Sequence, residues 1–213
     1  VNLCKVPDHV PLEQACILSD AVSTSYHAVT KRARVGPGNT VALIGVGGVG
    51  LHALQIAKLA GGCTIAVDIN DARLALARKL GADAVIDARN GPFHEEILRL
   101  TGGEGVDMLL EFVSNQDTLP SSYRSLKKAG RLVFVGYVPE IPMSIMPHEL
   151  VRNEFEIMGS RATTKQEMQE TMNLVAQGRI RPIVDQVFSL EDVELAFYAL
   201  RQGNSLGRNV IAV

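Results

Sequence analysis

Two hydrophobic patterns alternate along the middle of the chain. Short apolar runs, typical of strands buried on both faces, are followed by longer stretches with apolar residues at helical spacing. Strands are predicted at 41–45, 63–67, 84–86, 106–110, 131–135 and 155–158, and helices at 49–59, 71–80, 92–100 and 119–128. Buried strands separated by helices form parallel sheets with helices on each side. The pattern therefore predicts an α/β fold with a doubly wound, six-stranded parallel sheet.

The two ends of the chain lie outside this pattern. Residues 1–34 predict an extended, proline-containing lead and then a helix that starts near Ser19 or Asp20. The last part predicts a helix at 166–177, a strand at 184–188, a helix at 190–202 and a strand at 208–213. A doubly wound sheet needs none of these pieces, so we interpret them as parts of another structural unit.

Composition and charge exclude some classes of function. Hydrophobic residues make up 46% and charged residues 21% of the 213 residues, which permits a packed core. The formal net charge of -2 leaves no basic excess for phosphates, so no nucleic-acid partner is predicted. The longest apolar stretch, 41–51, contains four glycines and is too short to cross a bilayer, so no membrane partner is predicted either.

The cysteines and histidines give no sign of a metal site. Cys4, Cys16 and Cys63 form no C-x-x-C pair, so neither a disulfide framework nor a cysteine-based zinc site is expected in this chain. The five histidines are not paired at metal-ligand spacing and are interpreted as structural or surface residues. With no signal segment at the N-terminus, a cytoplasmic location is predicted.

The most informative motif is Gly45-Val-Gly47-Gly48-Val49-Gly50, which fits G-x-G-x-x-G. It follows a predicted strand and opens a predicted helix, the context in which this motif binds a dinucleotide. Gly45 would permit the tight turn, Gly47 the approach of a pyrophosphate, and Gly50 close packing of helix on strand. The N–H groups near Gly48 and Val49 would point at the anion. A glycine-rich turn without a ligand is the alternative.

An acidic residue stands where a dinucleotide site needs one. Asp68, followed by Ile69, ends the second predicted strand, 21 residues after Gly47. A carboxylate there would accept hydrogen bonds from the adenosine ribose and repel a 2′-phosphate, which favours NAD over NADP. Its alternative role is to cap the next helix. Arg73 would either reach the ribose or a phosphate, or lie solvated in the first turn of that helix.

The carboxyl ends of the fourth and fifth predicted strands are the expected walls of the rest of the cofactor site. Such sites lie at the carboxyl ends of strands near the change in strand order. Phe112 and Val113 follow the fourth strand, and Val135, Gly136 and Tyr137 end or follow the fifth. Phe112 and Val135 can also be ordinary core residues.

With these residues assembled, the sequence resembles the medium-chain, zinc-type alcohol dehydrogenase family from about residue 10 to the end. The matching segments are 18–26, 36–38, 41–50, 68–70, 80–83, 102–107, 130–136 and 207–210. The family's N-terminal GroES-like catalytic domain has no counterpart here. The resemblance thus implies a Rossmann NAD-binding domain at 21–160, with 1–20 and 161–213 as remnants of the catalytic domain packed beside it.

The resemblance also implies roles for four residues. Asp20 stands at the position of the third catalytic zinc ligand, although it can equally cap a helix. Thr24 would lie against the nicotinamide, and Ser160 belongs to a segment that contacts the carboxamide. Arg208 would approach the cofactor phosphates, or be a surface arginine. A catalytic zinc needs about three protein ligands, so zinc is expected only with the missing domain present.

The implied activity is NAD-dependent oxidoreduction, with hydride transfer between an alcohol and the nicotinamide, so that the partners are a small alcohol, aldehyde or ketone. The chain alone is expected to be inactive. The resemblance further implies a homodimer through a proline-bounded edge strand at 142–146, with a tetramer built from such dimers as the larger alternative. The alternatives are a zinc-free quinone-type reductase, which Asp68 disfavours, a non-catalytic NAD-binding module, and a methyltransferase, which fits the glycine motif less well.

Overall fold

A parallel sheet of six strands forms the centre of the computed structural model, which describes residues 3–203 and 205–213. The strands are β1 (Thr40–Ile44), β2 (Cys63–Asp68), β3 (Ala84–Asp87), β4 (Val106–Glu111), β5 (Leu126–Phe134) and β6 (Glu156–Gly159). They lie in the order β3-β2-β1-β4-β5-β6, and every neighbouring pair is parallel. The predicted doubly wound, six-stranded sheet is confirmed.

Helices cover both faces of this sheet. They are α1 (Leu12–Ala15), α2 (Ala21–Tyr26), α3 (Gly50–Leu59), α4 (Asp71–Lys79), α5 (Phe93–Leu100), α6 (Leu119–Arg124) and α7 (Pro147–Asn153). The 3-10 turns are Cys16–Ser19 and Ala88–Asn90, and α2 continues as a π-helix at His27–Ala33. The lead is thus not extended throughout, because α1 and the first 3-10 turn precede α2. No helix within 3–203 or 205–213 is long and apolar enough to cross a membrane.

Side chains of the strands alternate between the two layers of the core. Val41 and Leu43 of β1 face one cluster, which includes Leu51 and Leu54 of α3. Ala42 and Ile44 of the same strand face the other, which includes Ile97 of α5 and Leu109 of β4. Because β1 is central and apolar on both faces, its carboxyl end is held rigidly by both layers.

The predicted helix at 119–128 ends early. It stops at Arg124, and β5 begins at Leu126, which pairs with Val106. Gly105 allows this close approach, since a Cβ there would lie 2.6 Å from the Ser125 carbonyl oxygen. The chain therefore leaves the helix to join β4 sooner than its helical spacing predicts.

The C-terminal part packs against the sheet domain. It contains α8 (Lys165–Ala176), β7 (Val184–Ser189), α9 (Val193–Arg201) and β8 (Arg208–Ala212), with β7 and β8 forming a parallel pair. Met172 and Ile180 belong to the same buried cluster as Leu51 and Leu54. The predicted helix, strand, helix and strand are all present, and they share a core with the domain they follow.

Two polar contacts fix α8 on α2. The Tyr26 hydroxyl donates to Glu170 Oε2 over 2.9 Å, and His27 Nδ1 lies 2.9 Å from Glu167 Oε1. Glu167 also closes a capping box with Thr164 at the start of α8. Burial opposes ionisation of Glu167, but hydrogen bonds from Thr164 and His27 outweigh it and lower its pKa to about 2. The segment formed by α2 and its π-helical continuation is therefore joined to α8 by the charged side chain of Glu167.

Candidate cofactor site

A cavity of about 590 Å³ lies at the carboxyl ends of β1, β2 and β4. This volume is in the usual range for small-molecule sites. It is lined by these sequence-predicted residues: Gly45, Gly47, Gly48, Val49, Gly50, Asp68, Ile69, Arg73, Phe112, Val113 and Arg208. The structure thus brings eleven of the predicted site residues together at one edge of the sheet.

The glycines of the loop between β1 and α3 have different geometric reasons. Gly45 has φ +87°, and a Cβ there would lie 2.5 Å from Val113 Cγ2. A Cβ on Gly50 would lie 2.1 Å from the Gly45 carbonyl oxygen. Gly47 is different, because its nearest neighbour would be the Arg73 guanidinium at 3.8 Å, an ordinary contact. Gly45 and Gly50 therefore permit the turn itself, whereas Gly47 leaves space on the cavity side.

The loop presents backbone donors to this space. Among the residues the structure describes, the N–H groups of Gly48 and Val49 have no hydrogen-bond acceptor. They precede the first residue of α3, a ten-residue helix whose positive dipole end faces the same way. Free N–H groups and a helix N-terminus together favour an anion.

Asp68 is a buried carboxylate that is hydrogen-bonded to the glycine loop. It is 7% exposed; Oδ2 accepts from the Val46 N–H at 2.9 Å, and Oδ1 accepts from the N–H groups of Ile69 and Asn70. The cap of α4 is Asn70, whose side chain accepts from two N–H groups of that helix. The capping alternative for Asp68 is therefore wrong, and its carboxylate lies against the cavity and the glycine loop.

Arg73 lines the cavity and is anchored to the C-terminal part, and its predicted contact with the ribose or a phosphate stays a prediction. Its Nε donates to the Ser205 carbonyl at 3.1 Å, and its NH2 donates to the carbonyls of Gly203 at 2.7 Å and Ser205 at 2.9 Å. Its NH1 lies 3.8 Å from Asp68 Oδ1. The guanidinium is thus tied to the C-terminal part while lining the cavity, and it is not a solvated first-turn arginine.

His52, on the first turn of α3, joins the loop to the C-terminal part on its other side. Its Nε2 accepts from the Ile183 N–H at 2.9 Å, so Nδ1 carries the ring proton and donates to the Gly48 carbonyl at 2.8 Å. Burial lowers the pKa of His52 to about 4. Gln55, one turn later, exchanges two hydrogen bonds with the backbone of Arg181. In the sequence, these contacts of His52 and Gln55 are indicated only by the position of the two residues just after the glycine loop.

Several predicted residues lie away from the cavity. Gly136 packs on the neighbouring strand end, since a Cβ there would lie 2.1 Å from the Phe112 carbonyl oxygen. Tyr137 is 80% exposed, and Val135 packs against the core. The Ser160 N–H donates to the Phe134 carbonyl, and its hydroxyl is buried without a partner in the described part of the chain. The geometry accounts for Gly136 by strand packing, without a ligand.

Asp20 and Thr24 lie at the start of α2. Asp20 makes no side-chain capping bond; its Oδ1 accepts from the Thr24 hydroxyl at 3.4 Å, and its Oδ2 accepts from Arg208 NH2 at 2.6 Å. The helix-cap alternative for Asp20 is therefore wrong. Across 3–203 and 205–213, no three His, Cys, Asp or Glu side chains are grouped so that they could hold a metal. A zinc ion does not fit the residues described here without further ligands.

Sequence reasoning missed the far wall of the cavity. It is formed by Ala88, Gly91, Pro92 and Phe93 after β3, and by Asn115, Asp117, Thr118 and Ser121 after β4. The sequence could have indicated these residues by their position just beyond the carboxyl ends of strands, where ligand sites of such sheets lie. Buried Glu111 shapes this wall by accepting from the Val113 and Ser114 N–H groups and the Ser122 hydroxyl, and burial raises its pKa.

Comparisons with known proteins agree with this geometry. A family model described as "Zinc-binding dehydrogenase" matches residues 48–177. An alcohol dehydrogenase of Geobacillus stearothermophilus is 36% identical over 210 residues, which are 98% of this chain and 60% of the relative. The alcohol dehydrogenase structure from the archaeon Aeropyrum pernix is similar with a TM-score of 0.91 and 34% identity, covering 99% of this chain and 61% of that one. A structure titled NAD-dependent alcohol dehydrogenase gives a TM-score of 0.88 at 26% identity, covering 99% and 61%.

Proposed function

Because the chain belongs to the zinc-binding dehydrogenase family, we propose that it binds NAD and forms the cofactor half of an alcohol dehydrogenase. The chain spans about 60% of the length of the curated relatives it matches. In the proposed enzyme, a GroES-like domain supplies most zinc ligands and the proton relay. Residues 21–160 are the NAD-binding domain, and 1–20 and 161–213 belong to the catalytic unit. The substrate is a small alcohol, aldehyde or ketone.

The observation that carries this proposal is the cavity between the glycine loop and the buried Asp68. A dinucleotide fits its donor set: Gly47 leaves space for a pyrophosphate, Gly48 and Val49 have free N–H groups, and Asp68 offers acceptors for ribose hydroxyls. Bound nicotinamide would supply the hydride chemistry. The chain's own residues hold and orient the cofactor.

The predicted residues that lie away from the cavity form the nicotinamide end of the proposed cofactor site. Val135 and Gly136 support this placement because their N–H groups both donate to the Glu111 carbonyl, next to the wall formed by Phe112 and Val113. We propose that they lie beside the nicotinamide with Thr24, Tyr137 and Ser160. The buried, unpartnered Ser160 hydroxyl is a polar group that a bound carboxamide would satisfy.

A preference for NADH over NADPH tests the cofactor proposal. At about 4 Å and an effective dielectric near 20, Asp68 would repel a 2′-phosphate by roughly 4 kcal/mol. Arg73 offsets part of this repulsion, because its NH1 lies 3.8 Å from Asp68 Oδ1, while its Nε and NH2 donate to backbone carbonyls. Titration followed by nicotinamide fluorescence should give a Kd for NADH at least about tenfold below that for NADPH.

Two variants sharpen this experiment. Asp68→Asn should weaken NADH binding and reduce the ratio of the Kd for NADPH to the Kd for NADH, since it removes the charge while keeping one acceptor. Asp71→Asn is the control, because that side chain is 78% exposed and lies outside the cavity. Thermal unfolding of each variant checks that it is folded. NADPH binding as tightly as NADH to the unaltered chain contradicts the proposal.

Residues 142–146 are the proposed dimer contact. In the single chain these residues form no strand, so the predicted edge strand is absent there. Their exposure nevertheless alternates: Pro142, Ser144 and Met146 are exposed, while Met143 and Ile145 are half-buried. This period of two is typical of an edge strand with one covered face. We propose that it pairs with its twin across a two-fold axis, with a tetramer as a further possibility for the assembly.

Light scattering at micromolar concentration should give twice the mass of one chain. Ser144→Pro and Ile145→Pro each remove one N–H donor, and one of the two should yield monomer because it breaks the paired ladder. Lys5→Pro, in the lead segment, is the control. A monomeric unaltered chain argues against this contact.

We also propose a cytoplasmic location, which the three free thiols support.

A further inference from the structure

An ion pair closes one end of the cofactor cavity. Arg208 NH2 donates to Asp20 Oδ2 at 2.6 Å, although the two residues are 188 positions apart. The side chain of Asp20 is 69% exposed and that of Arg208 is 35% exposed. The contact therefore lies at the protein surface, where a soluble anion can reach both groups.

Arg208 lies directly over the phosphate-binding part of the loop. Its Cδ and Nε lie 3.0 and 3.3 Å from the place where a Cβ of Gly48 would be. Gly48 and Val49 carry the free N–H groups, so the arginine charge and these donors converge on one place. Such a set suits a pyrophosphate. Without a cofactor, the cationic part of the set is neutralised by Asp20.

We infer that Asp20 sets the affinity for the anionic cofactor by competing with its phosphates for Arg208. This inference rests on the proposed function. A phosphate that approaches Arg208 must either displace the carboxylate or bind an arginine whose charge is already balanced. Asp20 also repels the phosphate directly. Both effects weaken cofactor binding, so a residue that the sequence suggested as a metal ligand limits cofactor affinity.

Thr24 makes the displacement feasible. Its hydroxyl donates to Asp20 Oδ1 at 3.4 Å, on the oxygen that Arg208 does not use. When a phosphate takes Arg208, the Asp20 carboxylate keeps this donor and the surrounding water. The arginine can therefore exchange partners without movement of α2.

Asp20→Asn tests the inference, with NADH as the probe. Asparagine keeps an oxygen that can accept from Arg208, so the arginine stays oriented while the charge is removed. An exposed ion pair contributes up to about 1 kcal/mol, so the Kd for NADH should fall roughly threefold to fivefold. Asp8→Asn is the matched control, since it removes the same charge from an exposed residue in the lead segment. An unchanged or higher Kd for Asp20→Asn overturns the inference.

A double-mutant cycle separates competition from simple repulsion. In an Arg208→Met background, Asp20→Asn should tighten binding by a smaller factor, because only the direct repulsion by Asp20 remains to be removed. If the gain is as large in that background as in the unaltered chain, through-space repulsion alone explains it and competition is wrong. The cycle is repeated with inorganic pyrophosphate by calorimetry. If NADH fails to bind at all, the proposed function fails, while the pyrophosphate cycle still decides whether Asp20 competes for Arg208.

Discussion

Gly50→Ala should lower the free energy of unfolding by about 2 to 3 kcal/mol, the upper part of the usual range for overpacking. The new methyl would lie 2.1 Å from the Gly45 carbonyl oxygen. Gly45 cannot retreat easily, because it has a left-handed backbone, its N–H donates to the Val67 carbonyl, and Val113 lies on its other side. The strain therefore enters the contact between β1 and α3. Urea unfolding followed by circular dichroism measures the loss.

Two further glycine variants isolate the cause. Gly159→Ala is the control for the glycine-to-alanine change, since a Cβ there meets nothing within 4 Å. Gly47→Ala should leave stability nearly unchanged, because its methyl would make only an ordinary contact with Arg73, but it should weaken NADH binding at least about tenfold. Equal stability losses for Gly47→Ala and Gly50→Ala would show that the loop acts as one strained unit instead.

Acidification from pH 7.5 to 4.5 should cost the protein about 2.5 kcal/mol of stability through His52 alone. The pKa of this ring is about 4 in the folded chain and 6.5 in a free histidine. The unfolded chain therefore takes up the proton first as the pH falls. The contribution of His52 is complete above about pH 6.5, declines through the interval down to pH 4, and then stays level.

The measurement compares urea unfolding of the unaltered chain and His52→Gln at the two pH values. Glutamine retains a donor and an acceptor but does not titrate. Between pH 7.5 and 4.5, His52→Gln should therefore lose about 2.5 kcal/mol less stability than the unaltered chain. His148→Gln, at an exposed position in α7, should behave like the unaltered chain. If His52→Gln shows the same pH slope, then the protonated ring finds a partner and the hydrogen bond from Ile183 does not enforce neutrality.

Sequence reasoning predicted the sheet well because its signals are local. Each strand is a continuous apolar run, and the loop from Gly45 to Gly50 has one geometry that fits its spacing. Asp68 could be predicted for the same reason, since its distance from the loop is fixed by one helix and one strand. The fold and the part of the candidate site formed by the glycine loop and Asp68 follow from patterns within about 30 residues of each other.

The remaining contacts depend on distant partners. Arg73 contacts carbonyls 130 or more positions away, and Arg208 contacts Asp20 across nearly the whole chain. Backbone carbonyls carry no sequence signature, so the place of Arg73 could not be inferred from residue types. At Gly136 the expected close backbone approach is present against the Phe112 backbone, and its place beside the cofactor stays a prediction.

The contacts made by His52, Gln55 and Arg73 have a consequence for synthesis on the ribosome. Their partners, from Arg181 to Ser205, are made about 130 residues after the glycine loop. In a nascent chain whose sheet has already folded, the glycine loop would still lack these contacts with the C-terminal part. Because chains grow from the N-terminus at about 5–20 residues per second, the glycine loop would wait on the order of ten seconds for these contacts after its own synthesis.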